Sequence, residues 1–507
     1  MCSVTGHIPD GALRPVQPST QERGWIAYLT LVLLAVLLVI PSNLGTQPLH
    51  DSLAIYWVWA DQFTAELSRG NLYPRWLPLS NDGLGTPVFY YYPPLAFHVS
   101  GIFGLLGLST YASLVATFSS AFAASGIACW HWLKGRTNHP LVGAAFFMAA
   151  PYHLFDYTVR GALAETLAIA FIPLIAIGLR RITEGRGGII LTAAAYGGII
   201  CTHLPLALLV SIFLIAPWSI RHRSRLPGFS VAVAAGIGLA AIYLLPALAL
   251  EPYHDVSQLY RAPNLTTAYY SLYAGNWGDG VVLSVFLITA ALATTAVALA
   301  VKHHDGWAMY ALAICIAVAG IIPFLWSLPL IEKIQFPYRA LPLAEFALAT
   351  AIAASPFRPG RCAYLAALPL LLSLAILPGF GLRGGDLAYL QTHHPDVYEY
   401  LPRGVITPGT VTKLRDVVGP RLPPPQVPGM VVEPHFYFPS WSCGQAEPRT
   451  QLLMHEPSCS PRIMWTPIEK ISAAISFGTG LLLIACTAFA HRRHRRHTSP
   501  IKFLERV

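Results

Sequence analysis

The chain has 507 residues, of which 54% are hydrophobic and only 11% are charged. Soluble globular proteins carry about 25% charged residues, so this composition excludes that class. Apolar runs of roughly 17–25 residues recur along the chain, which is the length of transmembrane helices. The runs are continuous rather than alternating, which excludes a β-barrel, and we expect an all-α polytopic membrane protein. The net charge of +9 then reports topology and indicates no nucleic-acid partner.

The first apolar run, residues 24–41, follows a polar tail of residues 1–23. A secretory signal peptide would end in a small-residue cleavage site. This run ends instead at Pro41-Ser-Asn and leads directly into a polar island, residues 42–92. We therefore predict an uncleaved span followed by a long outer loop.

Clusters of arginine and lysine mark cytoplasmic loops, and an even number of crossings must lie between successive clusters. Twelve apolar segments satisfy this rule and place both termini in the cytoplasm of a bacterial inner membrane. The predicted spans are 24–41, 111–133, 139–155, 162–180, 188–202, 204–220, 228–250, 281–301, 307–327, 340–356, 362–380 and 467–490.

One apolar piece, Pro93 to Leu108, is left over, because a full crossing there would break the charge rule from Lys134 onward. We predict a re-entrant or interfacial helix, which is tolerated where it is buried in protein or lines a cavity. The alternative is that one short span, such as 188–202, does not cross.

The predicted organisation is a transmembrane domain over 24–380, a last transmembrane helix over 467–490 and a basic cytoplasmic tail over 491–507. Between the two membrane parts, residues 381–466 are Pro-rich and polar, with short apolar pieces that predict a small, partly β periplasmic domain. Cys443 and Cys459 lie in it, and a disulfide closing a loop of about 15 residues would contribute about 3 kcal/mol. Two free buried thiols are the alternative.

Acidic residues in the island are the first candidates for chemistry. Asp51 follows the first span at the outer interface, where an ionisable group is costly and therefore a functional candidate. Asp61 lies ten residues further on, beside aromatic residues at helical spacing. A solvated loop acid or a helix N-cap would explain Asp51 equally simply, and the aromatic residues fit a membrane-interface anchor.

Further candidates lie at three other outer turns. Arg160 and Glu165 flank the start of a predicted helix, although they could merely pair with each other. Pro337 restricts the backbone before it and sets Arg339 at a helix entrance, where its planar fork suits a phosphate. An interfacial arginine that reaches toward water is the alternative there. His203 stands alone at the tip between two spans, and a structural role would explain it.

The order of elements from 25 to 185 resembles the GT-C superfamily of membrane glycosyltransferases. The resemblance rests on a first span, an outer loop opening with an acid, Pro93-Pro-Leu95 leading into a helix, and Arg160-Gly-Ala-Leu-Ala-Glu165. A narrower resemblance is to bacterial membrane proteins labelled 6-pyruvoyl-tetrahydropterin synthase-related. It rests on Leu72-Tyr-Pro-Arg-Trp76, Gln335-Phe-Pro-Tyr-Arg339 and Tyr437-Phe-Pro-Ser-Trp441, among others. The sequence shows no zinc spacing that would support a pterin synthase activity.

The GT-C resemblance implies transfer of a sugar from a polyprenyl-phosphate donor to a glycan, lipid or protein acceptor, with inversion at the sugar carbon. It implies Asp51 as the base that takes a proton from the acceptor hydroxyl. It implies Arg160 and Arg339, with His203, as the groups that bind the donor phosphate. Glu165 would orient Arg160 or bind the sugar.

The resemblance also implies that Trp76, Tyr90, Tyr91 and Tyr92 contact sugar or membrane lipid. No second acid follows Asp51, so a metal-binding pair is absent at that point and no cofactor is expected with certainty. A divalent metal would need Asp61 or Asp82. Two other functions stay open: a lipid-linked saccharide transporter, and a non-catalytic envelope assembly factor with the same fold. Charges deep in several spans would favour the transporter, and Glu345 is the main charge within a span.

Overall fold

The computed structural model describes residues 24–40, 52–260, 262–356, 387–403, 405 and 424–497. Asp51, the predicted span 362–380 and both terminal tails beyond 24–497 lie outside these residues. The described chain is mostly helical, with one small sheet. Helices in the first half are α1 (Gly24–Val39), α2 (Ser52–Ser68), α3 (Val88–Tyr91), α4 (Leu95–Leu105), α5 (Thr110–Leu133), α6 (Pro140–Met148), α7 (Pro151–Thr158), α8 (Leu163–Ile169), α9 (Phe171–Thr183), α10 (Ile189–Ile200), α11 (Leu204–Val210) and α12 (Ala216–Arg221).

The second half of the chain contains fewer and longer helices, and a π-helical turn (Ser211–Ile215) joins α11 to α12. Short 3-10 turns occupy much of the stretches from Glu251 to Ala274 and from Pro323 to Ala340. The remaining helices are α13 (Leu226–Leu239), α14 (Ala241–Ala249), α15 (Gly280–His303), α16 (Gly306–Val318), α17 (Leu341–Ala354), α18 (Leu387–His393) and α19 (Pro467–His497).

Five helical segments of the described chain are long and apolar enough to cross a membrane. A sixth is a pair, Arg223–Leu239 and Ala241–Ala249, bent by 70° at its break. Each of these six segments coincides with one of the twelve predicted spans. The class of helical membrane protein is therefore supported, and the count of twelve stays a prediction. The five segments are Thr110–Leu133, Leu163–Thr183, Leu204–Arg221, Gly280–Val301 and Pro467–Thr487.

The predicted span 139–155 is two short helices rather than one. The first, α6, ends at Met148, and the second, α7, begins at Pro151. Proline has no backbone N–H to donate into a preceding turn, so it starts a helix more readily than it continues one.

Helix α4 coincides with the leftover apolar piece between Pro93 and Leu108. Its 11 residues extend about 16 Å at 1.5 Å per residue, roughly half the thickness of a hydrocarbon core. Gly101 lets α4 pack closely on α2, because its backbone lies against Phe63 and Leu67. A helix this short fits the predicted re-entrant or interfacial segment.

Helix α17 is the most deeply buried element of the described chain. All residues from Leu341 to Ala353 are buried, so α17 has no polar face and packs against α6, α15 and α16. Glu345 lies inside it and accepts a hydrogen bond from the backbone N–H of Tyr152 at 2.6 Å. Because α17 is held on every side, the residues at its entrance are fixed relative to α7.

A three-stranded antiparallel sheet lies in the predicted small domain, with strand order β1-β3-β2. The strands are β1 (Val431–Phe436), β2 (Gln445–Ala446) and β3 (Leu452–His455). The register of β1 against β3 shifts between Val432 and Phe436, where Pro434 cannot donate to the ladder. Cys443 and Cys459 form a disulfide with 6.6 Å between their Cα atoms.

The sheet packs on the outer island rather than on the helices alone. Phe436 and Phe438 join Trp76 and Tyr90 in a second apolar cluster, separate from the main helical core. The backbone N–H of Phe436 donates to the carbonyl of Leu84 at 2.8 Å. The island and the small domain therefore share one core.

Candidate functional site

A cluster of buried charged side chains lies where α7, α8, α11 and the entrance of α17 meet. Arg160 stands in the turn between α7 and α8, and Glu165 is in the first turn of α8. Arg339 belongs to the 3-10 turn before α17, and His203 is the N-cap of α11. The structure thus brings together four of the residues predicted from sequence, across 180 positions of chain.

Glu165 is the hub of this charged cluster. Its Oε2 atom accepts from Arg160 Nη1 at 2.7 Å and from Arg339 Nε at 3.2 Å. Its Oε1 atom accepts from the hydroxyl of Tyr152 at 2.7 Å. The side chain is only 1% exposed. One carboxylate therefore holds two guanidinium groups in fixed positions.

Asp156 is a second carboxylate on Arg160, one helical turn before it. Its Oδ1 atom accepts from Arg160 Nη1 at 2.7 Å, and its Oδ2 atom accepts from the Thr166 hydroxyl at 3.1 Å. Complete burial, together with the nearby charge of Glu165, raises the pKa of Asp156 above its ordinary value despite Arg160. The negative charge opposing the two arginines is therefore reduced.

His203 is neutral at physiological pH. Burial lowers the pKa of its imidazole to about 3, against the opposing effect of Glu165. Its Nδ1 atom accepts from the backbone N–H of Leu206 at 3.3 Å, so the ring proton resides on Nε2. That Nε2 lies 3.7 Å from Glu165 Oε2. His203 therefore presents an N–H donor, without a charge, at the same place as the arginines.

The turn before α17 fixes the position of the Arg339 side chain. Gln335 has a φ of +66°, an unusual conformation for a residue with a side chain, and its Nε2 donates to the carbonyl of Leu259 at 2.7 Å. Pro337 then starts the 3-10 turn. Arg339 Nη1 donates to the carbonyl of Ile334 at 2.7 Å, and its guanidinium lies 4.6 Å from the Phe336 ring. The side chain is held at three points.

The two arginines keep one edge open. Each is 8% exposed, whereas Glu165 and Asp156 are 1% and 0% exposed. Within the described part of the chain, the Nη2 atoms of Arg160 and Arg339 make no hydrogen bond. The two arginines thus have unused guanidinium donors and some accessible surface, whereas the two carboxylates are almost completely buried.

The start of α2 lies against this cluster. The backbone N–H of Ser52 donates to the carbonyl of Arg160 at 3.3 Å. Asp51, the residue before it, lies outside the described residues, so its assignment as base stays a prediction. Asp61 lies further along α2, where it accepts from the Thr110 hydroxyl at 2.6 Å. The contact of Asp61 with α5 belongs to a different pocket, lined also by Trp57 and His394.

The predicted aromatic contacts divide among three places. Tyr90 packs on Phe438 of the small domain, with ring centroids 4.6 Å apart. Tyr91 stacks on His254 at 3.8 Å, and Tyr92 shares a 2.6 Å hydroxyl contact with Tyr56. Trp76 lies beside Trp441 at 5.8 Å. A role in sugar or lipid contact stays a prediction for Trp76, Tyr90, Tyr91 and Tyr92.

Sequence reasoning did not assign roles to several residues that build the site. Asp156 could have been found from its position four residues before Arg160, which is pairing distance on a helix. Tyr152 and Tyr338 carry no such signal, because their partners come from other helices. Within the described residues, no group of three or more His, Cys, Asp or Glu side chains is arranged to hold a metal ion.

No known protein-family model matches the chain, and no curated protein matches it. Two solved structures are similar to it, and both are of the arabinofuranosyltransferase AftD from Mycobacteria. One has a TM-score of 0.46 at 18% identity, over 78% of this chain and 29% of AftD. The other, a point-mutant form, has a TM-score of 0.45 at 19% identity, over 78% of this chain and 30% of that one. The chain spans less than a third of the length of these structures.

Proposed function

We propose that the protein is a membrane glycosyltransferase that moves a sugar from a polyprenyl-phosphate donor to a cell-envelope acceptor, with Arg160 and Arg339 binding the donor phosphate. The observation that carries the proposal is the pair of guanidinium groups held by one buried carboxylate, with Nη2 donors left at the accessible edge. Planar forks of this kind suit the oxygens of a phosphate.

The charge balance of the cluster favours an anionic ligand. Two arginines face Glu165 and an Asp156 whose charge burial disfavours, so the open edge is cationic. A phosphate placed there would gain charge-assisted hydrogen bonds in surroundings that exclude water. The long apolar helices around the site suit a ligand whose tail lies in a bilayer.

The proposed reaction is a single inverting displacement. The acceptor hydroxyl oxygen attacks the anomeric carbon, and the bond from that carbon to the phosphate oxygen breaks. The hydroxyl proton passes to a carboxylate base, and the phosphate leaves with the bonding electron pair. The arginines stabilise the charge that grows on the leaving phosphate, which removes the need for a general acid. Asp51 is the proposed base, supported by the contact of Ser52 with Arg160.

Glu165 acts in this proposal by positioning the arginines. It is buried and already accepts from Arg160, Arg339 and Tyr152, so it is poorly available to an acceptor hydroxyl. His203 adds a neutral Nε2–H donor for a phosphate oxygen. The proposal includes twelve spans, an outer-face site in a bacterial inner membrane and cytoplasmic termini, in line with the basic clusters.

The first test uses undecaprenyl phosphate, because this product is shared by donors carrying different sugars. Purified protein in lipid nanodiscs would bind the radiolabelled lipid, and unlabelled undecaprenol, which lacks the phosphate, would compete poorly. Arg160→Ala and Arg339→Ala should each weaken binding at least tenfold. Arg69→Ala is the matched control, because Arg69 is a surface residue paired only within its own helix turn. Equal binding by all variants would contradict the phosphate assignment.

The second test separates the enzyme from a transporter. Protein incubated with labelled polyprenyl-phosphate sugars and envelope acceptor should release polyprenyl phosphate together with glycosylated product, and Asp51→Asn should stop transfer without loss of lipid binding. Movement of the intact lipid-linked sugar across vesicles, with no turnover, would support the transporter instead. Transfer at the wild-type rate by Asp51→Asn would refute the base assignment.

A further inference from the structure

A second polar pocket lies apart from the charged cluster, between the island and the small domain. It has a volume of about 430 Å³, within the range of small-molecule sites. Three distant segments line it, around Arg75, around Trp441 and around Trp465. The two motifs Leu72-Tyr-Pro-Arg-Trp76 and Tyr437-Phe-Pro-Ser-Trp441 therefore meet at one cavity, which the proposed chemistry does not use.

The charge in this pocket is balanced. Arg75 Nη1 and Glu469 Oε1 form an ion pair at 2.5 Å, with side chains 4% and 1% exposed. Arg75 Nη2 donates to the carbonyl of Ile242 at 3.1 Å. Arg75 faces Glu469, and a second acid that lines the same cavity, Glu66, is paired with Arg69. An anionic ligand would find no excess positive charge here.

Arg75 also has an unused donor. Within the described residues, its Nε atom is buried and makes no hydrogen bond. A buried N–H without a partner costs free energy unless a ligand or water accepts from it. Because Arg75 is already paired with Glu469, the cavity favours an uncharged ligand oxygen, such as a hydroxyl, over an anionic one.

Aromatic rings make up much of the remaining wall. The Arg75 guanidinium lies 4.0 Å from the Tyr73 ring and 4.9 Å from the Trp465 ring. Trp465 is 42% exposed, so much of its surface is open. His435 stacks near Trp441 with centroids 6.0 Å apart, and Asn71 adds an amide at the rim. Flat apolar faces therefore alternate with amide, imidazole and carboxylate groups.

We propose that this pocket binds a saccharide and, resting on the proposed function, that the saccharide is part of the acceptor glycan. A sugar ring has an apolar C–H face that packs on an aromatic ring, and a rim of hydroxyls that donate and accept. Neutral charge, open tryptophan surface and several uncharged or paired polar groups match that chemistry. A phosphate would leave the aromatic faces without a partner, and a lipid tail would leave the polar groups without one.

The test uses envelope polysaccharide fragments, released by mild acid from the source bacterium and labelled with a fluorophore at the reducing end. Fluorescence anisotropy with the full-length protein in nanodiscs should show saturable binding of the fragments. Trp465→Ala and Asn71→Ala, both at exposed positions, should weaken binding at least tenfold, and Trp465→Phe should retain most of it. Trp277→Ala is the control, because Trp277 is an equally exposed tryptophan outside the pocket.

Thermal unfolding of each variant checks that the fold is retained. No saturable binding to wild-type protein, or equal binding by Trp465→Ala, would overturn the pocket assignment. Undecaprenyl phosphate binding should be unchanged in both pocket variants, and a parallel loss there would also overturn it, because the defect would then be general. If fragments bind but no sugar is transferred, the saccharide site stands and the proposed glycosyltransferase function fails.

Discussion

Two buried arginine sites in this protein differ in how their charge is balanced. At the charged cluster, Arg160 and Arg339 share Glu165, and among the described residues the other carboxylate in contact is Asp156, whose pKa burial raises. In the pocket between the island and the small domain, Glu469 pairs with Arg75 alone among the described arginines. The first arrangement leaves cationic edges exposed, whereas the second is neutral.

The difference teaches that burial of an arginine does not by itself indicate an anion site. A guanidinium that has its own carboxylate forms a structural ion pair without net charge, and it can still offer hydrogen-bond donors. Two guanidinium groups on one carboxylate leave charge for a ligand to neutralise.

Replacement of Glu469, the carboxylate that pairs with a single arginine, should cause the largest loss of stability. Glu469→Gln leaves Arg75 as an uncompensated buried charge, which costs about 3–5 kcal/mol in comparable cases. Glu165→Gln should cost less in stability, because Asp156 still pairs with Arg160, and because Arg339 keeps the Ile334 carbonyl as an acceptor and is more exposed than Arg75. Chemical or thermal unfolding in detergent, compared between the two variants, measures the difference. A larger loss of stability in Glu165→Gln than in Glu469→Gln would contradict this difference between the two sites.

Removal of one shared arginine should act on catalysis more than on the fold. Arg339→Ala should lower the transfer rate by about 10²–10³-fold, as the loss of one charge-stabilising donor does elsewhere. Arg339→Lys keeps the charge and loses the fork, so we expect an intermediate rate. Initial rates of polyprenyl phosphate release measure both. Wild-type rates in Arg339→Ala would refute the phosphate role, and Arg69→Ala serves as the surface control.

His203 should contribute a donor and no charge. His203→Ala should lower transfer about tenfold, the worth of one ordinary hydrogen bond to a charged group. His203→Gln, whose amide nitrogen can occupy the place of Nε2, should recover part of the loss. Because the pKa of His203 is lowered to about 3, the ring stays neutral from pH 5 to 8. A limb in the pH–rate profile between pH 5 and 8 that disappears in His203→Gln would contradict this assignment.

A third polar group, the half-buried Asp396, extends the comparison to a carboxyl that has no cation paired with it among the described residues. Burial raises its pKa to about 7, although its Oδ1 accepts from Trp59 Nε1 and from the Val397 N–H. The stabilising effect of the protonated form is present below the ordinary pKa of about 4 and is lost as pH rises through about 7.

Asp396→Asn should therefore flatten the pH dependence of stability. Wild-type protein should lose melting temperature relative to the variant between pH 5 and 8, and the two should converge at the acid end. Differential scanning fluorimetry across that range measures the effect, which we expect to be a few degrees. Parallel curves for the two proteins would show that Asp396 is charged throughout.

Local patterns in the sequence were sufficient for part of the fold and part of the site. The apolar runs located the helices, because burial in lipid or protein demands them, and Arg160 and Glu165 are close enough along the chain to be paired in advance. The break before Pro151 was missed, since a continuous apolar run hides the point where one helix ends and the next begins. Arg339 was predicted at a helix entrance, where the structure has it, but its sharing of Glu165 depends on how α17 packs.

Other features depend wholly on tertiary packing. Tyr90, Tyr91 and Tyr92 form one cluster in sequence, yet in the structure Tyr90 and Tyr91 contact Phe438 while Tyr92 contacts Tyr56. The pair of Arg75 and Glu469 spans 394 positions, and no periodicity links them. The twelve-span count and the role of Asp51 stay predictions.

The ion pair of Arg75 with Glu469 also sets an order of events during synthesis. Arg75 leaves the ribosome almost 400 residues before its carboxylate exists, and its second acceptor, the carbonyl of Ile242, is itself 167 residues away. Until α19 is made, the island has an arginine with no counter-charge, and the cavity has no final wall. Contacts of such long sequence separation form late in folding. The helices around Glu165 can be inserted and packed first, and the pocket around Arg75 is completed only when α19 is in place.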